Sequence, residues 1–287
     1  TYGLATIHRG QLTSFTTDDV YNLDRTVEGV LRIPPPEPFR RHRIVSWWYL
    51  RDANWSPDFV ESSRTVLDFY RREGGTGDPT VVVGFTPTVA SALLRIVGPV
   101  EVDGFRFDAE NIADELEYQV EVGYHERGIP LRQRKAIIAP LSREVIDRLM
   151  HRRFRDWGPI VDVVRTAMQE RQILASSREP ELQALFDRFD LAGRVQPLES
   201  GEDSLLVVDA NLGSLKTDPV MERSIRYAMI PDASGYRGTI RVRYRNTGTF
   251  TWKTTRYRTY TRVYLPLGTE LIRASGAMGA ERSDESG

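Results

Sequence analysis

Apolar residues in the first hundred positions alternate between strand and helix spacing. The stretch "GLATIHRGQLTSFTT" predicts a β-hairpin turning at Arg9-Gly10, because glycine readily adopts the positive φ of a tight turn. The apolar runs "IVSWWYL" and "TVVVGF" are typical of buried strands, and helical patterns follow them, with starts predicted at Ser56-Pro57 and Thr86-Pro87. This order over residues 45–98 predicts an α/β layer with parallel strands and right-handed crossovers.

The middle of the chain is mostly helical in its apolar spacing. "VEVDGFRF" predicts a short hairpin with an Asp-Gly turn at 103–104. An acidic helix capped by Asp108 should follow, and then a helical stretch over 131–150 that Pro140 should kink or split. The segments "IVDVVRTAMQERQIL" and "PELQALFDRFDL" predict two further amphipathic helices.

The pattern changes after Gly193. "DSLLVVDANL" is typical of a buried strand, and "SIRYAMI", "GTIRVRYRNTG" and "YRTYTRVYLPLG" alternate as strands with one exposed face do. We therefore predict an α/β protein, with a mixed-sheet α/β layer and several helices followed by a C-terminal antiparallel β-layer. The predicted divisions are an α/β domain at 1–192, a strand-rich part at 193–276 and a polar tail at 277–287.

Composition narrows the class of protein without indicating a reaction. The 287 residues are 40% hydrophobic and 28% charged, with a net charge of -1, which is ordinary for a globular protein. The absence of cysteine excludes disulfides, thiolate metal sites and cysteine nucleophiles, and it fits an extracytoplasmic location. No apolar run is long enough to span a bilayer, and the chain starts without methionine. We therefore expect a fragment whose N-terminal membrane anchor lies outside this sequence.

Charge is unevenly distributed along the chain. Residues 101–121 carry eight acids and one base, whereas residues 220–273 carry eleven Lys or Arg and three acids. Such a basic strand face suits an anionic polymer, and it equally suits a solvated face that resists aggregation. No nucleic-acid-reading motif accompanies it, so nucleic acid is not an expected partner. The arginines predicted on the outward face are Arg241, Arg243, Arg245, Arg258 and Arg262.

Two polar segments follow predicted strands, where ligand sites are common in α/β layers. In "NLGSLKTD", Lys216 and Asp218 could bind a charged ligand or form only a charged turn. In "YLRDANWSPDF", the interaction of an acid with a helix N-terminus explains Asp58. Asp52 and Asn54 have no such folding role and are candidate site residues. The four histidines have no zinc-ligand spacing, so the residues themselves define no metal site.

Four segments resemble, in order, those of a bacterial domain-of-unknown-function family (number 4012). They are "LRDANWSPDF", "VVVGFTPTVASALLRIVGPVEV", "DANLGSLKTDPVMERSI" and "YTRVYLPLGTEL". The resemblance extends over roughly Tyr2 to Gly276. It implies a membrane-anchored protein with a large extracytoplasmic domain, and it implies no activity.

Up to about Met150 the order of elements is also similar, more distantly, to the LytR-CpsA-Psr glycopolymer transferases. Those enzymes move a polyprenyl-pyrophosphate-linked glycan onto the cell wall, using arginines on the pyrophosphate and an Asp-held divalent metal. "RDANW" resembles the segment before their first crossover helix, and "RGIPLRQRK" resembles the start of a long helix. The similarity implies magnesium as a cofactor and a catalytic site formed by Asp52, Asn54, Arg127, Arg132 and Arg134.

This chain departs from that family at two positions. Ile129 stands where the family has an arginine, and Asp19 falls near an Arg-Asp segment whose arginine is missing here. Two hypotheses therefore stay open. In the first, a membrane-anchored envelope protein handles a lipid-linked or wall-bound anionic glycan, with phosphotransferase-like chemistry if it is an enzyme. In the second, a non-catalytic surface module binds a polymer or a protein partner through its basic β-face.

Overall fold

The computed structural model describes residues 1–42, 44–153, 157–199, 201–213, 215–233 and 235–277. Within them the protein combines helices with antiparallel strands in small sheets, which confirms the predicted α/β class. The chain divides into two compact units. Unit 1 comprises Thr1–Pro36 and Ser46–Gln196, and unit 2 comprises Glu37–Val45 and Pro197–Gly287. All but the first residue of the predicted polar tail lies outside the described residues.

The elements follow one another along the chain as short helices and strands. The helices are α1 (Val20–Val27), α2 (Glu37–Arg41), α3 (Phe59–Arg72), α4 (Pro87–Val97), α5 (Ile112–Tyr118), α6 (Tyr124–Glu126), α7 (Ile138–Met150), α8 (Gly158–Gln169) and α9 (Pro180–Arg188). The strands are β1 (Tyr2–His8), β2 (Gln11–Asp18), β3 (Val81–Phe85), β4 (Val100–Val102), β5 (Phe105–Phe107), β6 (Ile173–Ser177), β7 (Leu206–Asn211), β8 (Met221–Asp232), β9 (Gly235–Asn246) and β10 (Thr259–Tyr264). Single 3-10 turns occur at Leu50–Asp52, Leu131–Gln133 and Asp218–Val220.

In the described ranges every strand has one antiparallel partner, so the predicted parallel strands are wrong. The pairs are β1 with β2, β3 with β6, β4 with β5, β7 with β10 and β8 with β9. The segment 44–50 was predicted as a strand, but residues 44–49 are irregular and Leu50 begins a 3-10 turn. Its apolar residues enter the core without strand pairing, since the Trp48 ring packs edge-on against Phe69 with centroids 5.1 Å apart. The sequence pattern reports burial here, and burial alone does not require a strand.

The predicted hairpin turns and the start of α4 at Thr86-Pro87 are confirmed, whereas three other helix starts are wrong. The cap of α5 is Asn111 and not Asp108, and α7 begins at Ile138 and not at 131. Both hairpin turns are confirmed, with φ of 51° and 78° at Arg9 and Gly10 and of 53° and 82° at 103–104. The cap of α3 is Asp58 rather than Ser56, because the Asp58 carboxylate accepts the Glu61 N–H at 3.0 Å. The stretch predicted over 131–150 is divided into the 3-10 turn at Leu131–Gln133 and α7. Pro140 does not kink α7, since it lies in the first turn, where helical N–H groups have no intrahelical acceptor.

Unit 1 has two hydrophobic clusters. The larger one lies around the β4–β5 hairpin, where Val100 and Phe107 are completely buried against residues of α4, α5 and α7. The smaller one joins the 3-10 turn at Leu50–Asp52 to the end of α3, with Tyr70 packed edge-on against Tyr2 of β1. The charged residues of this 3-10 turn and of α1 adjoin the smaller cluster, because Leu50, Val20 and Leu23 pack in it. A well-packed core therefore holds these charged residues in position.

Unit 2 contains two antiparallel pairs, the sheet β7–β10 and the long hairpin β8–β9. The hairpin pairs all twelve residues of each strand, from Met221 opposite Asn246 to Asp232 opposite Gly235. Asp209 of β7 joins the two pairs. Its carboxylate accepts Tyr244 Oη at 2.5 Å and Thr261 Oγ1 at 2.8 Å, and it forms an ion pair with Arg223 at 2.6 Å.

Candidate functional site

The hairpin β8–β9 carries five arginines on one face. Residues directly opposite each other in an antiparallel pair point to the same side, as do alternate residues along a strand. The register places Arg226 opposite Arg241, Ser224 opposite Arg243 and Glu222 opposite Arg245. We call this surface the arginine face, and its arginines are Arg226, Arg237, Arg241, Arg243 and Arg245.

Three of these arginines have no counter-charge in the part of the chain that the structure describes. Arg237 pairs with Asp232 at 2.7 Å, and Arg245 reaches Glu222 at 3.4 Å. The remaining three are exposed, and none of them forms an ion pair with a described carboxylate. Two of these three stand directly opposite each other, and such a like-charge pair destabilises a sheet. The three arginines without a described counter-charge are Arg226, Arg241 and Arg243.

Two of the arginines predicted for this surface lie elsewhere. Arg262 belongs to β10 and pairs with Val208 of β7, and Arg258 directly precedes the same strand. Conversely, Arg226 and Arg237 lie on the arginine face but were not among the arginines predicted for it. The alternation within β8 and β9 was visible in the sequence, but only the register of the hairpin brings Arg226 to Arg241.

The opposite side of the hairpin is held by the Asp209 carboxylate. Burial works to raise the pKa of Asp209, but hydrogen bonds from Tyr244 and Thr261 and the bond and charge of Arg223 outweigh it, so this pKa is lowered. Arg223 and Tyr244 are direct cross-strand partners, so both strands of the hairpin are tied to β7 at one point. The hairpin that carries the arginine face is therefore bound to β7 on its opposite side, through Arg223 and Tyr244.

The segment "NLGSLKTD" is ordered by hydrogen bonds to Asp218. The Asp218 carboxylate accepts the Asn211 side-chain amide at 2.8 Å and Tyr257 Oη at 2.9 Å. It also lines a groove of about 380 Å³, whereas Lys216 is exposed and is not among the lining residues. Of the two predicted ligand residues of this segment, Asp218 therefore lines this groove and Lys216 does not.

Unit 1 contains an ionic cluster centred on the buried Asp19. Its carboxylate caps α1 by accepting the Tyr21 N–H at 3.3 Å, and it pairs with Arg134 at 3.0 Å and with Lys135 at 2.8 Å. Burial works to raise the pKa of Asp19, but the hydrogen bonds and charges of Lys135 and Arg134 outweigh it, and this pKa is lowered. Arg134 also binds Glu121 at 2.6 Å. The two cations of the cluster are therefore already neutralised by carboxylates.

Asp52 belongs to a second group of charges beside the same helix. Arg51 binds the buried Asp24 at 3.0 Å and lies 3.5 Å from Asp52. Burial raises the pKa of Asp52, and the charge of Arg51 opposes that rise. The Tyr21 ring lies between the two groups, with Arg51 and Arg134 at 5.3 Å and 5.5 Å from its centroid.

The other residues that the transferase similarity implies lie outside these groups. Asn54 and Arg132 are exposed, and Arg132 takes part through its backbone carbonyl, which accepts the Asn22 amide at 2.9 Å. Arg127 lies over the Phe105 ring at 4.9 Å and donates to the Gly123 carbonyl at 3.1 Å. Of the five implied catalytic side chains, only Arg134 contacts the Tyr21 ring, and Asp52 is linked to that ring only through its neighbour Arg51.

Behind Arg51, the two buried carboxyl groups of Glu73 and Asp24 adjoin each other, and outside this pair Asp24 Oδ1 and Glu73 Oε2 have no hydrogen-bond partner among the described residues. Glu73 is 1% exposed and Asp24 is 2% exposed, and one Glu73 oxygen accepts the Leu50 N–H at 2.8 Å. Burial raises the pKa of Glu73 to about 8, and the bond to Asp24 and its negative charge add to the rise. A proton on Glu73 supplies the donor that a bond between two carboxyl groups requires.

We predict that Glu73→Gln makes stability less dependent on pH. Glu73 ordinarily ionises near 4.5 and in the folded chain near 8, so its contribution is fully present below pH 4.5 and is lost as the pH rises to about 8. The glutamine amide mimics the protonated acid by accepting from Leu50 and donating to Asp24. Urea unfolding at pH 5, 6.5 and 8 measures this, with the exposed Glu101→Gln as control. Equal pH slopes for Glu73→Gln and wild type would contradict the shared proton.

The described residues do not fit the magnesium ion that the transferase similarity implies. In the described part of the chain, no group of three or more His, Asp or Glu side chains could hold a metal ion. Both oxygens of the Asp19 carboxylate are occupied by cationic side chains, which would repel a divalent cation. We therefore assign no step to a metal. Among the described residues, no helix is both long enough and apolar enough to span a membrane.

These features describe an α/β protein with a basic hairpin face and a neutralised ionic cluster. The model of the family described as "Protein of unknown function (DUF4012)" matches residues 1–120 of the 287, so the N-terminal part of the chain is similar to that family. This match confirms the predicted resemblance for that part, and the family description gives no activity. No curated protein and no solved structure matches the chain.

Proposed function

We propose that this protein is an extracytoplasmic module of the bacterial cell envelope, membrane-anchored in its full-length form, that holds an anionic glycopolymer on its arginine face. The resemblance to the family of unknown function, which implies a membrane-anchored protein with a large extracytoplasmic domain, supports this location. Protease treatment of intact cells tests the location, since the full-length protein should be cleaved without lysis. Protection of the protein in intact cells would contradict it.

The observation that carries the binding proposal is the uncompensated Arg226–Arg241 pair. The pair opposes folding of the hairpin, and exposed Arg243 adjoins it in the next register position. A chain of phosphate or carboxylate groups along the strands would neutralise all three guanidinium groups at once. Guanidinium forks bind such groups in a bidentate manner, which favours an anionic polymer over a small neutral ligand.

Charge reversal tests this proposal directly. We expect wild-type protein to be retained by immobilised teichoic acid and polygalacturonate but not by immobilised polyethylene glycol, with retention that falls as salt rises because the contacts are exposed. The double variant Arg241→Glu with Arg243→Glu should lose this retention. The matched control is Arg64→Glu with Arg188→Glu, which makes the same change in net charge at exposed positions of unit 1. Equal loss in both variants, or no retention of the wild type, would refute the arginine face as the binding surface.

One observation favours a second candidate function, transfer chemistry on a pyrophosphate-linked glycan. Arg134 and Lys135 converge on Asp19 beside the partly exposed Tyr21, and Arg51 adjoins the same ring. A pyrophosphate would have to displace carboxylates from these cations in order to bind. Titration with geranyl pyrophosphate distinguishes the candidates. Binding that is lost in Arg134→Met but kept in the arginine-face variant would support transfer chemistry, and no binding would exclude it.

A further inference from the structure

The groove in unit 2 is a second feature of the molecule, on the side of the hairpin opposite to the arginine face. It has a volume of about 380 Å³, and Val207, Val208 and Met221 supply apolar wall. Its polar lining residues are Asp209, Asp218, Arg223, Tyr244 and Tyr257. Because Arg223 and Tyr244 alternate with the residues of the arginine face, the two surfaces use different side chains of the same strands.

The two tyrosines are held in fixed positions. Their ring centroids are 6.1 Å apart with planes inclined at 43°. Each hydroxyl donates to a carboxylate, Tyr244 to Asp209 at 2.5 Å and Tyr257 to Asp218 at 2.9 Å. Burial, and after it the hydrogen bond to Asp218, raise the pKa of Tyr257 to about 12, so its hydroxyl remains a donor. Aromatic surface that is ordered before binding reduces the entropy cost of holding a ligand.

The polar groups of the groove can accept and donate further hydrogen bonds. Asp218 is exposed, and each of its oxygens has accepted one hydrogen bond and can accept a second. Arg223 uses one nitrogen on Asp209, which leaves further N–H donors on a guanidinium that is 41% exposed. The charged lining comprises two carboxylates and one guanidinium, so the groove disfavours an anion.

We propose that this groove binds a neutral sugar ring, with the ring face against Tyr257 and the ring hydroxyls on Asp218 and Arg223. A pyranose has one apolar face and several neighbouring hydroxyls, which is the combination that apolar walls with a few convergent polar groups accommodate. The site is distinct from the arginine face. It therefore stands or fails independently of anionic-polymer binding.

Calorimetric titration of the whole protein tests this site with oligosaccharides of matched ring and different charge. We expect galactotetraose and chitotetraose to bind the wild type. In the Arg241→Glu with Arg243→Glu variant, whose arginine face no longer binds anions, we expect tetragalacturonic acid to bind the groove more weakly than galactotetraose. Tyr257→Ala should weaken binding about tenfold or more, because the principal ring surface is removed. Tyr257→Phe should retain more binding than Tyr257→Ala, and Tyr236→Ala serves as control because Tyr236 is 73% exposed at the end of the hairpin.

The outcomes separate the two proposals. The arginine-face variant should keep neutral oligosaccharide binding, and Tyr257→Ala should keep retention by teichoic acid. Should Tyr257→Ala unfold, Asp218→Asn provides the test, with reduced binding expected at an unchanged thermal midpoint. Failure of the wild type to bind either neutral oligosaccharide, or equal binding by wild type and Asp218→Asn, would overturn the sugar site and leave the arginine face untouched.

Discussion

Asp19→Ala is expected to lower the free energy of unfolding by about 3 kcal/mol or more, the largest stability effect among the polar residues discussed above. The change removes the cap of α1, which contributes about 1 kcal/mol. It also leaves Arg134 and Lys135, whose side chains are each 13% exposed, without a shared counter-charge. Arg134 keeps its ion pair with Glu121, so most of the expected loss comes from Lys135, which is largely buried and pairs with no other described carboxylate.

Urea unfolding of three variants measures this and separates the contributions. Asp19→Asn keeps a side-chain oxygen for the cap and removes only the charge, so it should retain part of the stability. Asp78→Ala is the matched control, because Asp78 pairs with Arg178 at 2.7 Å but is 67% exposed. A surface pair of this kind contributes at most about 1 kcal/mol. Losses of equal size for Asp19→Ala and Asp78→Ala would contradict the burial argument.

The pH dependence of the Asp19 contribution has a definite sign. Because its pKa is lowered in the folded protein, its contribution is present above the ordinary pKa of 3.8 and is lost as the pH falls through the folded value. Wild type and Asp19→Ala should therefore become closer in stability in acid. A difference that stays constant into the acid range would indicate that packing, and not charge, is responsible.

Local signals in the sequence predicted the turns and the last strands correctly. Gly10 and the Asp-Gly turn at 103–104 define hairpins because few residues tolerate positive φ. The alternation of apolar and polar residues predicts β8 and β9, because side chains along a strand repeat every two residues. The strand β6 was missed because its residues continue the apolar pattern of α8, and only the left-handed Arg171 separates them.

The candidate sites depend on contacts that local patterns do not encode. Arg134 and Asp19 are 115 positions apart, and no spacing rule connects them. The opening of "YLRDANWSPDF" was a candidate because nothing local explained Asp52 and Asn54. The structure joins Asp52 to Arg51 and leaves Asn54 exposed. The sequence therefore predicted which residues are unusual, and the tertiary fold decided which of them meet.

The second large effect is expected for Arg241→Glu, in which stability and binding should change in opposite directions. Glutamate opposite Arg226 replaces a repulsive cross-strand pair with an attractive one, so hairpin stability should be kept or raised by about 0.5 kcal/mol. The same change places a negative charge in the middle of the arginine face. The change removes an attraction to the polymer and adds a repulsion. It should therefore weaken polymer binding at least tenfold, which corresponds to about 1.4 kcal/mol. If Arg241 had only a folding role, its replacement would not weaken polymer binding while the stability of the hairpin was kept or raised.

The most direct test of the arginine face is to measure polymer affinity and hairpin protection on the same Arg241→Glu protein. Amide hydrogen exchange of β8 and β9 reports the local stability of the hairpin, and binding to soluble teichoic acid reports the function. The predicted result is amide protection equal to or above that of the wild type, together with at least tenfold weaker binding. Unchanged affinity, or affinity and protection falling together, would contradict the assignment of the arginine face as a polymer-binding surface.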